Sequence, residues 1–413
     1  MIVKKKYQVL LFILIIFLVY SFAFYTGVKR TFPYSILSNI NQDIKKILNK
    51  RKINISKTDK SDCSVNEIFL CFKLPQEIIF SNSSDLNNFI LDWQQVEVTN
   101  LKKLAYLKFD NDRLFYLNQD DEKFLSKINL GEKNFDEVKH GGIKQIFKMN
   151  NKFYAYVGYR KKNCALVSIF QYPDGEKITD FPCLPAELDQ VDLNGTGGAY
   201  LEFDNLNFLT IGTPTVANEI IDNLAQQDNS PYGKVLTIDI DENNKFDYKI
   251  FSKGHRNPQG IISVHEKIFS VEHGPRGGDE LNIVYENGNY GWPLYSLGSH
   301  YSLNKISKEG WSNENLFRGP LFSFVPSIGI SVVEKCPYLY EEYYKPFKCI
   351  AIGSMRAQSI YLVLMNNNMD KVINYEKIEF PSRIRKFKFY DDILIAGTDF
   401  DGVIVGQISK FIK

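Results

Sequence analysis

Residues 197–213 read GGAYLEFDNLNFLTIGT, and the way this stretch folds decides the architecture. Two runs of mostly apolar residues flank Asp204-Asn205. Alternation of side chains between two faces is the habit of a strand. Asp-Asn is short, polar and tolerant of left-handed backbone, as a tight hairpin turn requires. The stretch therefore predicts a β-hairpin. The same grammar recurs at 104–118 (LAYLKFDNDRLFYLN), 143–159 (IKQIFKMNNKFYAYVGY) and 259–274 (QGIISVHEKIFSVEHG). It returns at 329–354 (GISVVEKCPYLYEEYYKPFKCIAIGS) and 384–399 (IRKFKFYDDILIAGTD).

Six such units with no long helical pattern between them predict an all-β fold, a six-bladed β-propeller in which each blade is buried by its neighbours. A β-sandwich of this size would be unusual and would not explain the recurrence. Propeller loops converge at one end of a central channel, where chemistry is expected.

The composition agrees. The chain has 413 residues, 44% hydrophobic and 24% charged, enough for a substantial core. Its 31 Phe and 24 Tyr suit packed sheets. A formal charge of +2, with lysines scattered, gives no case for nucleic acid.

At the start, Lys4, Lys5 and Lys6 precede an uncharged run from Tyr7 to Val28. That run is long enough to span a hydrocarbon core, so an N-terminal transmembrane helix is expected, attaching the chain to a membrane by residues 7–28. A cleaved signal peptide competes, because Ser21 and Ala23 form a small-x-small site. The expected organisation is a membrane anchor or signal segment at 1–30, a basic linker at 31–60 and the propeller at 61–413. Six cysteines fall into local pairs, Cys63 with Cys71, Cys164 with Cys183, and Cys336 with Cys349. No C-x-x-C is present, and three disulfides would place the propeller in an oxidising compartment. The expectation is a membrane-anchored protein with the propeller exported to the periplasm or cell surface, or a secreted one if residues 1–23 are removed.

Four polar stretches stand out: LNGTGGAYLEF, GHRNPQG (254–260), SVEHGPRGGDELNIVYENGNYGWP, and PSRIRKFKF, where Arg383 and Arg385 alternate along a strand. Singly, each has an ordinary reading. Asn257-Pro258 and His273-Gly274-Pro275 serve as turns, Asp279 and Glu280 satisfy backbone groups or bind calcium, and His255 is a hydrogen-bonded loop histidine or a reactive group. Nothing adjacent in sequence distinguishes His140, His265 or His300.

Together, GKVLTIDI, GHRNPQG, EHGPRGGDE, NYGWP and RIRKF occur in the order found in the soluble quinoprotein glucose/sorbosone dehydrogenases, a family this chain resembles over about residues 100–405. The resemblance implies a six-bladed propeller using pyrroloquinoline quinone (PQQ) and calcium to oxidise a sugar or polyol, with electrons passing to a respiratory acceptor. It implies Arg256, Asn257, Asp279, Arg356, Arg383, Arg385 and Asp399 as cofactor-facing residues. Gly274 and Pro275, through their carbonyls, and Glu280 and Tyr290 would serve calcium. Arg356 stands in GSMRAQSIY where the family carries lysine, so a planar fork replaces a point charge.

One departure touches the chemistry. Family members open a His-x-Gly-Gly-Arg run with the histidine that takes the substrate hydroxyl proton, and this chain has Gly195-Thr196-Gly197-Gly198-Ala199 there. Thr213 replaces the family aspartate. Losing a general base costs about 10²–10⁴ in rate. His255 is a weak candidate for the vacant role, and no spacing argument brings it or His140 to that place. Two readings follow: a quinoprotein dehydrogenase, or a catalytically inactive propeller binding carbohydrate or a protein partner at the cell surface.

Overall fold

The computed structural model describes residues 69–410 except 75–77, 99–100, 102, 111–112, 129–139, 162–163, 186–190, 215–217, 299–315 and 400–401. These lie in a compact unit, Asn54–Lys413. Among the described residues the strands form six sheets. The innermost strands are Leu104–Asp110, Gly142–Met149, Gly197–Phe203, Pro258–Val264, Ile330–Lys335 and Ile384–Tyr390. Each touches the next in this order, and the sixth touches the first, so the ring is closed.

The six hairpins expected from sequence are the first two strands of the six blades. The second strands are Arg113–Asn118, Lys152–Lys161, Leu206–Ile211, Lys267–Glu272, Lys348–Ser354 and Ile393–Thr398. Their turns have the left-handed backbone the sequence suggested: Asn150 and Asn151 at φ 49° and 63°, Asp204 and Asn205 at 52° and 58°, His265 and Glu266 at 46° and 63°. The fifth unit departs from a simple hairpin. A helix, Tyr338–Tyr343, is inserted between its strands, and the Cys336–Cys349 disulfide closes its base.

The sixth blade is completed from the opposite end of the domain. Phe89–Val96 pairs antiparallel with Val403–Lys410, running from Val403 opposite Val96 to Lys410 opposite Phe89. The core is divided among the seams between blades. Leu209 and Leu236 of the third blade pack with Tyr154 and Tyr156 of the second. Ile330 and Val333 of the fifth pack with Val271 and Leu281 of the fourth. Each blade is apolar on both faces because a neighbour covers each face.

The membrane expectation is corrected. No helix among the described residues is long and apolar enough to cross a membrane. The run 7–28 on which the transmembrane helix rested, and the boundaries at 30 and 60, lie outside the described residues. Membrane attachment and a membrane-anchored location are therefore withdrawn. Cys164–Cys183 and Cys336–Cys349 are bonded as expected. Cys71 is also disulfide-bonded, and Cys63, its expected partner, lies outside the described residues.

Candidate functional site

Gly254 opens the GHRNPQG loop with φ 78°, and a Cβ there would collide with Asn289 Oδ1, so only glycine suits it. The loop then enters the inner strand of the fourth blade at Pro258. His255 is fully buried. Its Nε2 lies 2.8 Å from Ser252 Oγ, its Nδ1 lies 3.4 Å from Glu272 Oε1, and its ring stacks on Tyr290 at 4.5 Å. This imidazole holds the loop in place and faces no open space.

Arg256 is buried as well, and it joins two loops. Its backbone N–H donates to Glu272 Oε2 at 2.8 Å. Its Nη1 donates to the carbonyls of His273 and Gly274 at 2.8 and 2.9 Å, with the guanidinium 5.2 Å from the Trp292 ring centre. Its own carbonyl accepts from Thr213 N at 2.7 Å. Asn257 is buried beside it and accepts through Oδ1 from Gln259 Nε2. Pro275 O accepts from Gly278 N and Ser327 Oγ, each at 3.4 Å.

Behind Arg256 lies a buried acidic pair. Asn282 Nδ2 donates to Glu272 Oε1 at 2.8 Å and to Glu280 Oε2 at 3.3 Å. Burial, then the charge of Glu272, pushes the Glu280 carboxyl well above the usual range, against the pull of Asn282 and Arg256. Asn282 Oδ1 is buried with no hydrogen-bond partner. Glu272 and Glu280 border a cavity of about 10 Å³, room for one water-sized species, which Gly274, Pro275 and Tyr290 also line. Tyr290 hydroxyl is already engaged, donating to Ile283 O at 2.5 Å and accepting from Tyr285 N at 2.9 Å. Only its backbone carbonyl remains to serve a cation.

Asp279 acts differently from Glu280. Its Oδ2 accepts from Gly329 N and Ile330 N at 2.7 and 3.1 Å, which fixes the entry to the fifth blade. Burial alone would raise its carboxyl, but the hydrogen bond and charge of His273 and those two amides hold it below the usual range. Arg356 is exposed and packs over Gly329.

In the sixth blade, Arg383 and Arg385 share Asp399. Arg383 Nε lies 2.8 Å from Oδ2, and Arg385 Nε donates to Oδ1 at 2.7 Å. Asp399 is buried while Arg383 is half-exposed, so two cations meet one carboxylate and leave positive charge at the surface. Below them a cavity of about 180 Å³ runs between the inner strands, bordered by Gln145, Gln259, Glu334, Lys386 and Lys388. Lys386 Nζ donates to Gln145 Oε1 at 2.8 Å. Burial, then Arg385, lowers its ammonium to about 8.

The third blade contributes the altered segment. Asp192 starts the single turn Leu193–Gly195 and accepts Asn194 N at 2.9 Å. A Cβ on Gly212 would collide with Gly195 O and approach Arg256 O, so Gly212 packs between the Gly195 turn and the GHRNPQG loop. Unforeseen from sequence, the half-exposed His140 stands at the entry to the second blade with Nδ1 2.8 Å from Asp192 Oδ1. Lys144 Nζ donates to His140 O. The sequence signal for this pair was weak, because its members are 52 residues apart.

The residues divide into two families of contacts. Arg256, Asn257, Gly274, Asp279, Glu280 and Tyr290 form one connected group, and Arg383, Arg385 and Asp399 another. Among the described residues no group of three or more His, Cys, Asp or Glu is arranged to hold a metal through those side chains alone. Carbonyl oxygens complete the donor set of a hard cation, and here Glu272, Glu280, Gly274 and Pro275 line one small cavity. The excess of guanidinium at the channel end fits a polyanionic planar group.

The family model described as Glucose / Sorbosone dehydrogenase matches residues 118–404. The aldose sugar dehydrogenase of Escherichia coli is 29% identical over 217 residues, 48% of this chain and 55% of that protein. An uncharacterized protein of Synechocystis is 33% identical over 178 residues, 38% of this chain and 43% of that protein. The chain thus spans about half the length of these relatives. Among solved structures, the apo-form of the soluble E. coli aldose sugar dehydrogenase superposes with a TM-score of 0.55 at 20% identity, covering 78% of this chain and 100% of the other. The PQQ-bound aldose sugar dehydrogenase of Streptomyces coelicolor gives 0.52 at 17% identity, covering 79% and 100%. These likenesses establish the propeller fold.

Proposed function

This chain belongs to the Glucose / Sorbosone dehydrogenase family, and on that premise we propose that it is a PQQ-dependent dehydrogenase oxidising an alcohol group of a sugar or polyol. The observation that supports the reading is a pair of polar groups on the ring, Arg256 joined to the loop around a small buried acidic pocket and Arg383 with Arg385 sharing Asp399. When bound, the quinone supplies an acceptor for two electrons and a hydrogen of the substrate carbon.

The chain supplies the rest. Arg383, Arg385 and Arg356 would hold the anionic group by charge, and the fixed fork of each guanidinium would orient it. Asp399 keeps the first two aligned. Glu280 and Glu272, with the carbonyls of Gly274 and Pro275, would hold calcium, whose charge would offset the buried glutamates. Arg256 holds the His273 and Gly274 carbonyls at the edge of that pocket.

An absorbance titration of the purified protein with PQQ, with and without calcium, followed by dye reduction across a sugar panel, tests the proposal. Calcium-dependent binding and substrate-dependent reduction are expected. Absence of binding would sink it and favour the second reading, a non-catalytic propeller, which the glycine at 195 and threonine at 213 motivate.

A further inference from the structure

We propose that His140, oriented by Asp192, is the proton acceptor for alcohol oxidation at this site, taking over the role that Gly195 leaves vacant. The inference rests on the dehydrogenase reading above and deepens it.

Three observations converge. First, the imidazole is joined to the turn that carries the vacancy. His140 bonds Asp192, the residue that starts the turn ending at Gly195, and Gly212 packs between that turn and the Arg256 loop. Second, the carboxylate fixes the tautomer. Asp192 Oδ1 accepts from Asn194 N and faces His140 Nδ1. Burial alone would raise its carboxyl, but the His140 and Asn194 hydrogen bonds, then the charges of His140 and Lys144, hold it below its ordinary value. An ionised carboxylate only accepts hydrogen bonds, so Nδ1 carries the hydrogen and the neutral ring presents its lone pair at Nε2. Third, the ring is accessible. His140 is half-exposed, unlike the enclosed His255, and it is held at φ 56°, a conformation uncommon outside glycine and found where surrounding structure imposes it.

The reaction balances with these parts. The substrate O–H bond breaks and its proton goes to Nε2. The adjacent C–H bond breaks, its hydrogen and electron pair leave to the quinone, and the carbon–oxygen double bond forms. Asp192 then faces an imidazolium, whose charge it stabilises.

Lys144 is the competing base. Burial pushes its ammonium down to about 7, against the pull of Asp192. Its Nζ is, however, occupied in donating to His140 O, which makes it a support for the loop.

The test compares wild type with His140→Ala, Asp192→Asn and Lys144→Met, reconstituted with PQQ and calcium. Asp192→Asn retains an acceptor for Asn194 N. His140→Ala is expected to bind PQQ within about twofold of wild type by absorbance. Its substrate-driven reduction rate should fall about 10²–10⁴-fold and recover in part with added imidazole. Independently of any cofactor, ¹⁵N NMR of the apo protein should find His140 protonated at Nδ1 and bare at Nε2, a preference that Asp192→Asn weakens. Normal turnover in His140→Ala, loss confined to Lys144→Met, or a hydrogen on Nε2 in the neutral ring would overturn the inference alone. Failure of wild type to bind PQQ would overturn the parent reading, and this one with it.

Discussion

Glu280 and Glu272 face each other across Asn282 in a space with little room for water. Two carboxylates so placed cannot both ionise cheaply. Because the folded-state value of Glu280 lies above its ordinary 4.5, the folded protein holds more protons than the unfolded chain as pH rises past 4.5. Stability must fall with pH through that window. In the absence of calcium, the urea midpoint of wild type should decline from pH 4.5 upward, and that of Glu280→Gln should decline less. A matching pH slope in both proteins would show that Glu280 is not the strained group. The motif was legible as acidic and loop-like from sequence, and its family resemblance marked Glu280. The roles of Glu272 and Asn282 were not legible, because the two sit on neighbouring strands ten residues apart in the chain and acquire meaning only across the ladder. His140 was in view from sequence, but no spacing argument could bring it to the Gly195 turn, for a related reason: its partner Asp192 comes from the neighbouring blade.

Hairpins are local objects, and their turn chemistry can be read from adjacent residues. Asn150-Asn151, Asp204-Asn205 and His265-Glu266 all adopt the left-handed backbone that short polar turns impose. His265 is there to turn the chain, as its place between two strand-like runs suggested. The helix Tyr338–Tyr343 was invisible because its six residues include three tyrosines, which read as strand formers. Tertiary packing overrides that preference: Tyr340 is buried against Phe89 at 5.4 Å and donates to Glu376 Oε1 at 2.7 Å. The Cys336–Cys349 bridge encloses this insertion with a sequence separation of 13. Replacing both cysteines by alanine should cost about 3 kcal/mol by the loop-closure relation, measurable as a lowered denaturation midpoint. An unchanged midpoint would mean that the helix packing alone fixes the insertion.

At the scale of the whole molecule, seams between blades carry the burial, and one seam depends on distant chain segments. Leu91 is fully buried in the strand that pairs with Val403–Lys410. Leu91→Ala should cost about 2–5 kcal/mol and lower the single unfolding transition of the entire ring, read by fluorescence and circular dichroism together. Separate transitions for the sixth blade would contradict that coupling. Six repeats could be counted in the sequence, whereas this pairing could not, because strand periodicity carries no address for a partner far along the chain.

That pairing also sets a schedule during synthesis. Phe89–Val96 emerges early, yet its partner Val403–Lys410 is made last. At typical translation rates the intervening chain takes on the order of 15–60 s to appear. Throughout that interval a strand with buried-type residues Phe89, Leu91 and Trp93 waits without its neighbour, an edge able to recruit other nascent chains. Yield of the active ring should therefore depend on what shields that edge in the cell as much as on the stability of the finished protein.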